Sequence, residues 1–173
     1  MLRDVAGARA TIALPRRELV QVMAKGGAMP DATALGITLP EACLSAEAGD
    51  LVALWMQPRG WMLMAPWQGE GALAGRLAPL ASWARLTDQS HGRVVMVLSG
   101  PAWRDLLARL CRLDLHPRVF SPGCVVTTPL GAVQVTLRAT AEGAELFCLA
   151  TLAEETMELL QLAGAEFGVR VVA

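Results

Sequence analysis

"RVVMVLSGPAWRDLLARLCRLDLHPRVF", Arg93–Phe120, changes its pattern twice within one run. Val94–Leu98 is unbroken and apolar, which suits a central strand buried on both faces. Gly100 and Pro101 stop it, and proline is well tolerated at the first position of a helix. Trp103, Leu106, Leu107 and Leu110 then recur at helical spacing, with Arg104, Asp105, Arg109 and Arg112 mostly off that stripe. Past Cys111 the pattern becomes alternation, Leu113, Leu115 and Pro117 against Asp114, His116 and Arg118. Pro117 drives His116 into extended backbone. The strip is expected to dock its apolar side on the core and to present Asp114, His116 and Arg118 outward, with Asp114 paired to His116 or Arg118. It offers a single group titrating near neutrality and no second base, so it suits an interface better than acid–base catalysis. It is also too poor in ligands for a metal.

Downstream, strands are expected at 124–128, 132–138 and 145–150. Thr151 and Glu154 read as a capping box for a helix that Gly164 ends, and a last strand follows over 167–172. Upstream, weak alternation over 9–14 predicts a short strand, and Pro15 opens a helix over 16–24 with Leu19, Val20 and Met23 on one face. Residues 27–50 read as loop. Leu51–Gln57 and Trp61–Pro66 form a hairpin across Pro58-Arg59-Gly60. A helix over 70–78 ends at Pro79, and a strand follows over 84–89. Both stretches run strand, Pro-led helix, hairpin, helix, strand. The expectation is an α+β fold, one domain over 1–173 made of two pseudo-repeated βαββαβ-like halves, about 9–90 and 93–172. Their sheets are antiparallel, with helices packed on them.

Hydrophobic residues make up 54% of the 173 and charged residues 18%, against roughly 25% charged in an ordinary soluble domain. A spanning helix needs about 20 apolar residues; the richest stretch, Leu51–Trp67, is broken by Gln57, Pro58, Arg59 and Gly60. Asp4, Arg9 and Leu14-Pro15-Arg16-Arg17 interrupt any leader. A cytoplasmic subunit whose apolar surface is covered by partner proteins is expected, with no membrane contact. A net charge of −1 and no basic cluster beyond Arg16-Arg17 argue against nucleic acid. Cys43, Cys111, Cys124 and Cys148 form no CxxC pair, so neither a disulfide nor a structural zinc is expected.

Ser90 and His91 are adjacent and point apart in a strand, so they make no nucleophile–base pair. "GEGALAG", Gly69–Gly75, follows a strand and opens a helix, with Asp88 ending the next strand, as in a dinucleotide site. Its spacing is one residue too long, and no further βαβ units follow. Trp55, Trp61 and Trp67, with Met56, Met62 and Met64 between them, form a patch that serves as core or subunit interface, or as a ligand pocket.

The central block resembles the gamma subunit family of heterotetrameric sarcosine oxidase. The likeness is carried by Leu98-Ser99-Gly100-Pro101, Cys111, Leu113-Asp114-Leu115-His116-Pro117-Arg118, Phe120 and Pro122-Gly123. "LGITLP" (35–40), "LWMQPRGWMLMAP" (54–66) and "AEFG" (165–168) are similar to further family segments. Leu110 departs from the family's usual Gly before the Cys, and Gln57 and Arg59-Gly60 depart in the hairpin turn. The resemblance implies the fold of an aminomethyltransferase, the folate-binding domain of the glycine-cleavage T-protein, kept without its chemistry. It implies no catalytic, cofactor or metal residues in this chain. It also implies alpha, beta and delta partners, of which alpha and beta hold FAD, FMN, NAD and the tetrahydrofolate site and delta holds zinc, in a complex that oxidatively demethylates sarcosine to glycine, with hydrogen peroxide and methylenetetrahydrofolate formed. Asp114, His116, Pro117, Arg118, Phe120, Trp55 and Trp61 are the expected partner-facing residues. The alternative is a free-standing folate- or nucleotide-binding domain of the same fold.

Overall fold

Two hydrophobic cores, each built on its own sheet, organise the chain. The computed structural model describes residues 7–172; Asp4, read as interrupting a leader, lies outside them. The strands in chain order are β1 (Ala10–Ala13), β2 (Arg17–Ala24), β3 (Ser45–Ala48), β4 (Leu51–Gln57), β5 (Gly60–Pro66), β6 (Ala84–Asp88), β7 (Arg93–Ser99), β8 (Val125–Leu130), β9 (Val133–Ala139), β10 (Gly143–Leu149) and β11 (Val169–Val172). The α-helices are α1 (Ala72–Arg76), α2 (Trp103–Ala108) and α3 (Ala153–Ala163).

The chain divides into two compact units. Unit 2, Arg16–Arg93, carries the sheet β3-β4-β5-β2-β6. Unit 1 joins the stretch ending at Pro15 to the chain from Val94 onward and carries the sheet β11-β1-β7-β10-β9-β8. β1 belongs with the later unit, whereas the expected halves, about 9–90 and 93–172, put it in the earlier one. The α+β reading with antiparallel sheets holds, with β1 antiparallel to β7 and an added parallel pair between β1 and β11.

The largest correction is at 16–24, expected as a helix and found as β2. This strand lies between β5 and β6, setting Leu19 against Met64 and Val20 against Asp88. Glu18, Leu19, Val20 and Val22 are all buried. A strand covered on both faces loses the alternation that marks it, and the 19/20/23 spacing then imitates a helical face. The 27–50 stretch is likewise not all loop, since it holds a 3-10 turn at Thr33–Leu35 and the edge strand β3. The Thr151–Glu154 box does not form. α3 follows a 3-10 turn at Ala150–Leu152, and no side chain caps its Leu152 N-cap.

The hairpin β4–β5 forms as expected, Gln57 opposite Gly60. Arg59 sits at φ 61° in its turn, strained for a residue with a Cβ. Its guanidinium donates to Lys25 O at 2.8 Å and Ala28 O at 2.7 Å, which holds it there. In unit 1, a Cβ at Gly143 would overlap the Leu98 carbonyl, so only glycine lets β10 begin this close to β7.

Candidate functional site

The 113–120 segment is a turn, not an extended strip. Asp114 Oδ1 accepts the His116 N–H at 2.9 Å, and His116 Nδ1 accepts the Arg118 N–H at 3.2 Å. The His116 carbonyl then accepts the N–H groups of Val119, 2.8 Å, and Phe120, 2.9 Å. The expected side-chain pairing of Asp114 with His116 or Arg118 is replaced by these local backbone bonds, the habit of short polar side chains in turns. The outward face is nonetheless polar. Asp114, His116, Pro117 and Arg118 are all exposed, and Val119 is 57% exposed among them.

The turn is anchored from beneath. Leu115 and Phe120 are buried in the unit 1 core with Trp103 of α2, whose ring centroid lies 6.5 Å from that of Phe120. Arg104 donates to both the Leu115 and the Phe120 carbonyls, the latter at 3.1 Å, and lies 4.1 Å over the Trp103 ring. Burial lowers the guanidinium's pKa, yet an arginine keeps its charge in any protein setting. Arg104 is the residue that sequence reasoning passed over. Its position off the apolar stripe of α2 makes it look solvent-facing, and nothing in its spacing reveals that its Nη1 closes the 115–120 loop.

Two of the residues expected to face a partner lie inside. Phe120 is 4% and Trp61 7% exposed. The Trp61 indole donates to Pro40 O at 3.0 Å and meets Trp83 edge-on in the unit 2 core. Trp55 is half-buried on β4. Met62 and Met64 are also buried, so half of the Trp/Met patch lies inside, and Trp55, Met56 and Trp67 are half-buried. Trp67 is half-buried, with the Arg16 guanidinium 3.7 Å over its ring and His91 edge-on at 5.9 Å.

The glycine-rich loop carries a buried carboxylate of its own. Glu18, 2% exposed on β2, accepts the Leu73 N–H at 2.9 Å and the Gln68 N–H at 3.3 Å. Gly71 adopts φ 73° to start α1 there. A helix start of this kind suits an anion, and the anion is supplied by the chain itself, so the loop does not fit a dinucleotide phosphate. Asp88, the would-be ribose ligand, accepts the Ser90 N–H at 2.8 Å. The Ser90 side chain and N–H hold its carboxyl below the usual range. The other deeply buried charges, Arg138 and Glu145, pair across β9 and β10 at 2.6 Å. Among the described residues no three His, Cys, Asp or Glu side chains gather as a metal site, and no helix is long and apolar enough to cross a membrane.

A family model described as "Sarcosine oxidase, gamma subunit family" matches residues 24–166. The sarcosine oxidase subunit gamma of Corynebacterium sp. (strain P-1) is 32% identical over 156 residues, 88% of this chain and 76% of that one. The chain belongs to the sarcosine oxidase gamma subunit family. Its counterpart in Corynebacterium sp. (strain U-96) is 33% identical over 148 residues, 82% of this chain and 71% of that one. A chain of the solved heterotetrameric sarcosine oxidase from Corynebacterium sp. U-96, in complex with pyrrole 2-carboxylate, superposes with TM-score 0.82 at 30% identity, covering 98% of this chain and 91% of that one. The gamma-family fold is also that of the glycine cleavage system aminomethyltransferase T from Bartonella henselae. There the TM-score is 0.61 at 19% identity, over 95% of this chain and 48% of that one.

Proposed function

We propose that this chain is the gamma subunit of a heterotetrameric sarcosine oxidase-like complex, and that it serves assembly without an active site of its own. The observation that carries the reading is the match, over nearly the whole chain, to a subunit of that solved complex. The local chemistry agrees with it. Glu18 and Asp88 are engaged by the chain's own N–H groups, and Arg138 and Glu145 by each other. Alpha, beta and delta subunits are the partners. Alpha and beta hold FAD, FMN, NAD and tetrahydrofolate, and the complex oxidatively demethylates sarcosine. The Asp114–Val119 turn, rigid because Arg104 and two buried side chains hold it from below, is a prong that docks on them.

Co-purification of the tagged chain tests this, with assembly and turnover per flavin read separately. His116→Ala combined with Val119→Ala is expected to weaken assembly by about tenfold, the scale of a modest hot spot. Turnover of the fraction that remains assembled stays at the wild-type level. A complex that stays whole but loses turnover sinks the non-catalytic reading.

A further inference from the structure

α3 of unit 1 borders an open groove of about 350 Å³. Its apolar lining is Leu14, Met96, Ala153 and Met157, and its polar lining is Glu154 and Glu158. Met96 is fully buried, Ala153 and Met157 are half-buried, and both glutamates are exposed. Glu154 and Glu158 are one turn apart on the helix, so both carboxylates stand on the same side. α3 contains no lysine or arginine, and neither glutamate has an ion-pair partner among the described residues. Leu162, one turn beyond Glu158, is 77% exposed and continues the apolar surface along the helix.

Such a groove selects by charge. Folates and nucleotides carry carboxylates or phosphates, which two unpaired glutamates repel. A lysine or arginine side chain fits both features, because its aliphatic stem covers apolar surface while its head reaches a carboxylate. We infer that the α3 groove is a docking site for a basic, amphipathic segment of a partner subunit, whose cationic side chain lies across Leu14, Ala153 and Met157 with its head between Glu154 and Glu158. The inference rests on the assembly role proposed above. It adds a second contact, in the same unit as the Asp114–Val119 turn.

The test uses the whole complex, captured through a tag on this chain and washed at about 0.05 to 0.5 M salt, where screening of exposed charges grows. Glu158→Arg lies beyond the first turn of α3, so it cancels the groove's negative charge and sets a cation in it with little effect on the helix start. It is expected to release the partners at least about tenfold more readily. Glu154→Gln with Glu158→Gln is expected to flatten the salt dependence, while Glu142→Arg, in the β9–β10 turn, changes neither readout. Circular dichroism confirms that each variant is folded. If the wild type assembles but Glu158→Arg holds its partners equally well, the groove is not the contact and the assembly reading survives. An unchanged salt slope in the glutamine pair overturns the inference too. If the wild type captures no partner, the assembly reading fails and takes the groove with it.

Discussion

The two units share one plan and differ by one strand. Unit 2 runs β2, a three-strand meander β3-β4-β5, α1 and β6, with the sheet ordered β3-β4-β5-β2-β6. Unit 1 runs β7, α2, the meander β8-β9-β10, α3 and β11, ordered β8-β9-β10-β7-β1-β11. The correspondence is exact once β1 is set aside, because β1 wedges between the strands that match β2 and β6. The segment after the first strand differs as well. In unit 1 it is α2 and the anchored 113–120 turn, whereas in unit 2 it is the 27–44 stretch, holding a single 3-10 turn. A sheet topology can thus be repeated while the connection that faces outward is free to change. The units also bury charge differently, unit 1 as an arginine–glutamate pair and unit 2 as a carboxylate on backbone N–H groups.

That difference sets the largest expected effect. Arg138→Met strands the Glu145 carboxylate and is expected to cost unit 1 about 3–5 kcal/mol in urea titration. Adding Glu145→Leu should restore most of it, and a double variant as weak as the single would show that the pair is not the source. Glu18→Ala leaves the Leu73 and Gln68 N–H groups without their acceptor. A loss of about 1–3 kcal/mol is expected in unit 2, with Glu18→Gln milder, read from the thermal melt by fluorescence of Trp61 and Trp83.

These two carboxylates also show what the sequence hides. Alternation and turn residues were enough to place the β4–β5 hairpin, β7, α2 and the β8–β9–β10 meander. They failed at β2, because a charge at Glu18 reads as solvent-facing when it is satisfied by partners far along the chain. β3, "SAEA", has no large apolar residue to mark it. At the site, the outward polar face of Asp114, His116 and Arg118 was legible from composition. Its turn geometry, and the inward placement of Phe120 and Trp61, depended on Arg104 and on Pro40, which no local spacing connects to them.

Arg104→Ala sharpens this point. One nitrogen, Nη1, donates to both the Leu115 and the Phe120 carbonyls, and alanine removes it. A loss of about 1 kcal/mol is expected for unit 1, together with faster amide exchange at Val119 and Phe120. Unchanged exchange would mean that the turn stands without its clamp. The smallest effect is one of pH. Asp31, Asp50 and Asp88 all have lowered pKa values, through Thr33, Arg76 and Ser90 respectively, and all three lie in unit 2. A carboxyl that binds its proton less readily when folded adds stability above its unfolded pKa and loses it as pH falls through the folded one. Unit 2 should therefore weaken below about pH 4. Asp88→Asn should shallow that decline, as followed by tryptophan fluorescence in urea.

Ala10 lies beside Val169 in the β1–β11 ladder. During synthesis, Arg16–Arg93 leaves the ribosome as one continuous stretch and can close its sheet early, since domains form as their residues emerge. β1 is made before any of this, yet its parallel neighbour, β11, is translated only after β10 and α3. The growing polypeptide must keep that early strand unspent until its distant mate arrives, so the slow, long-range step of maturation falls on unit 1.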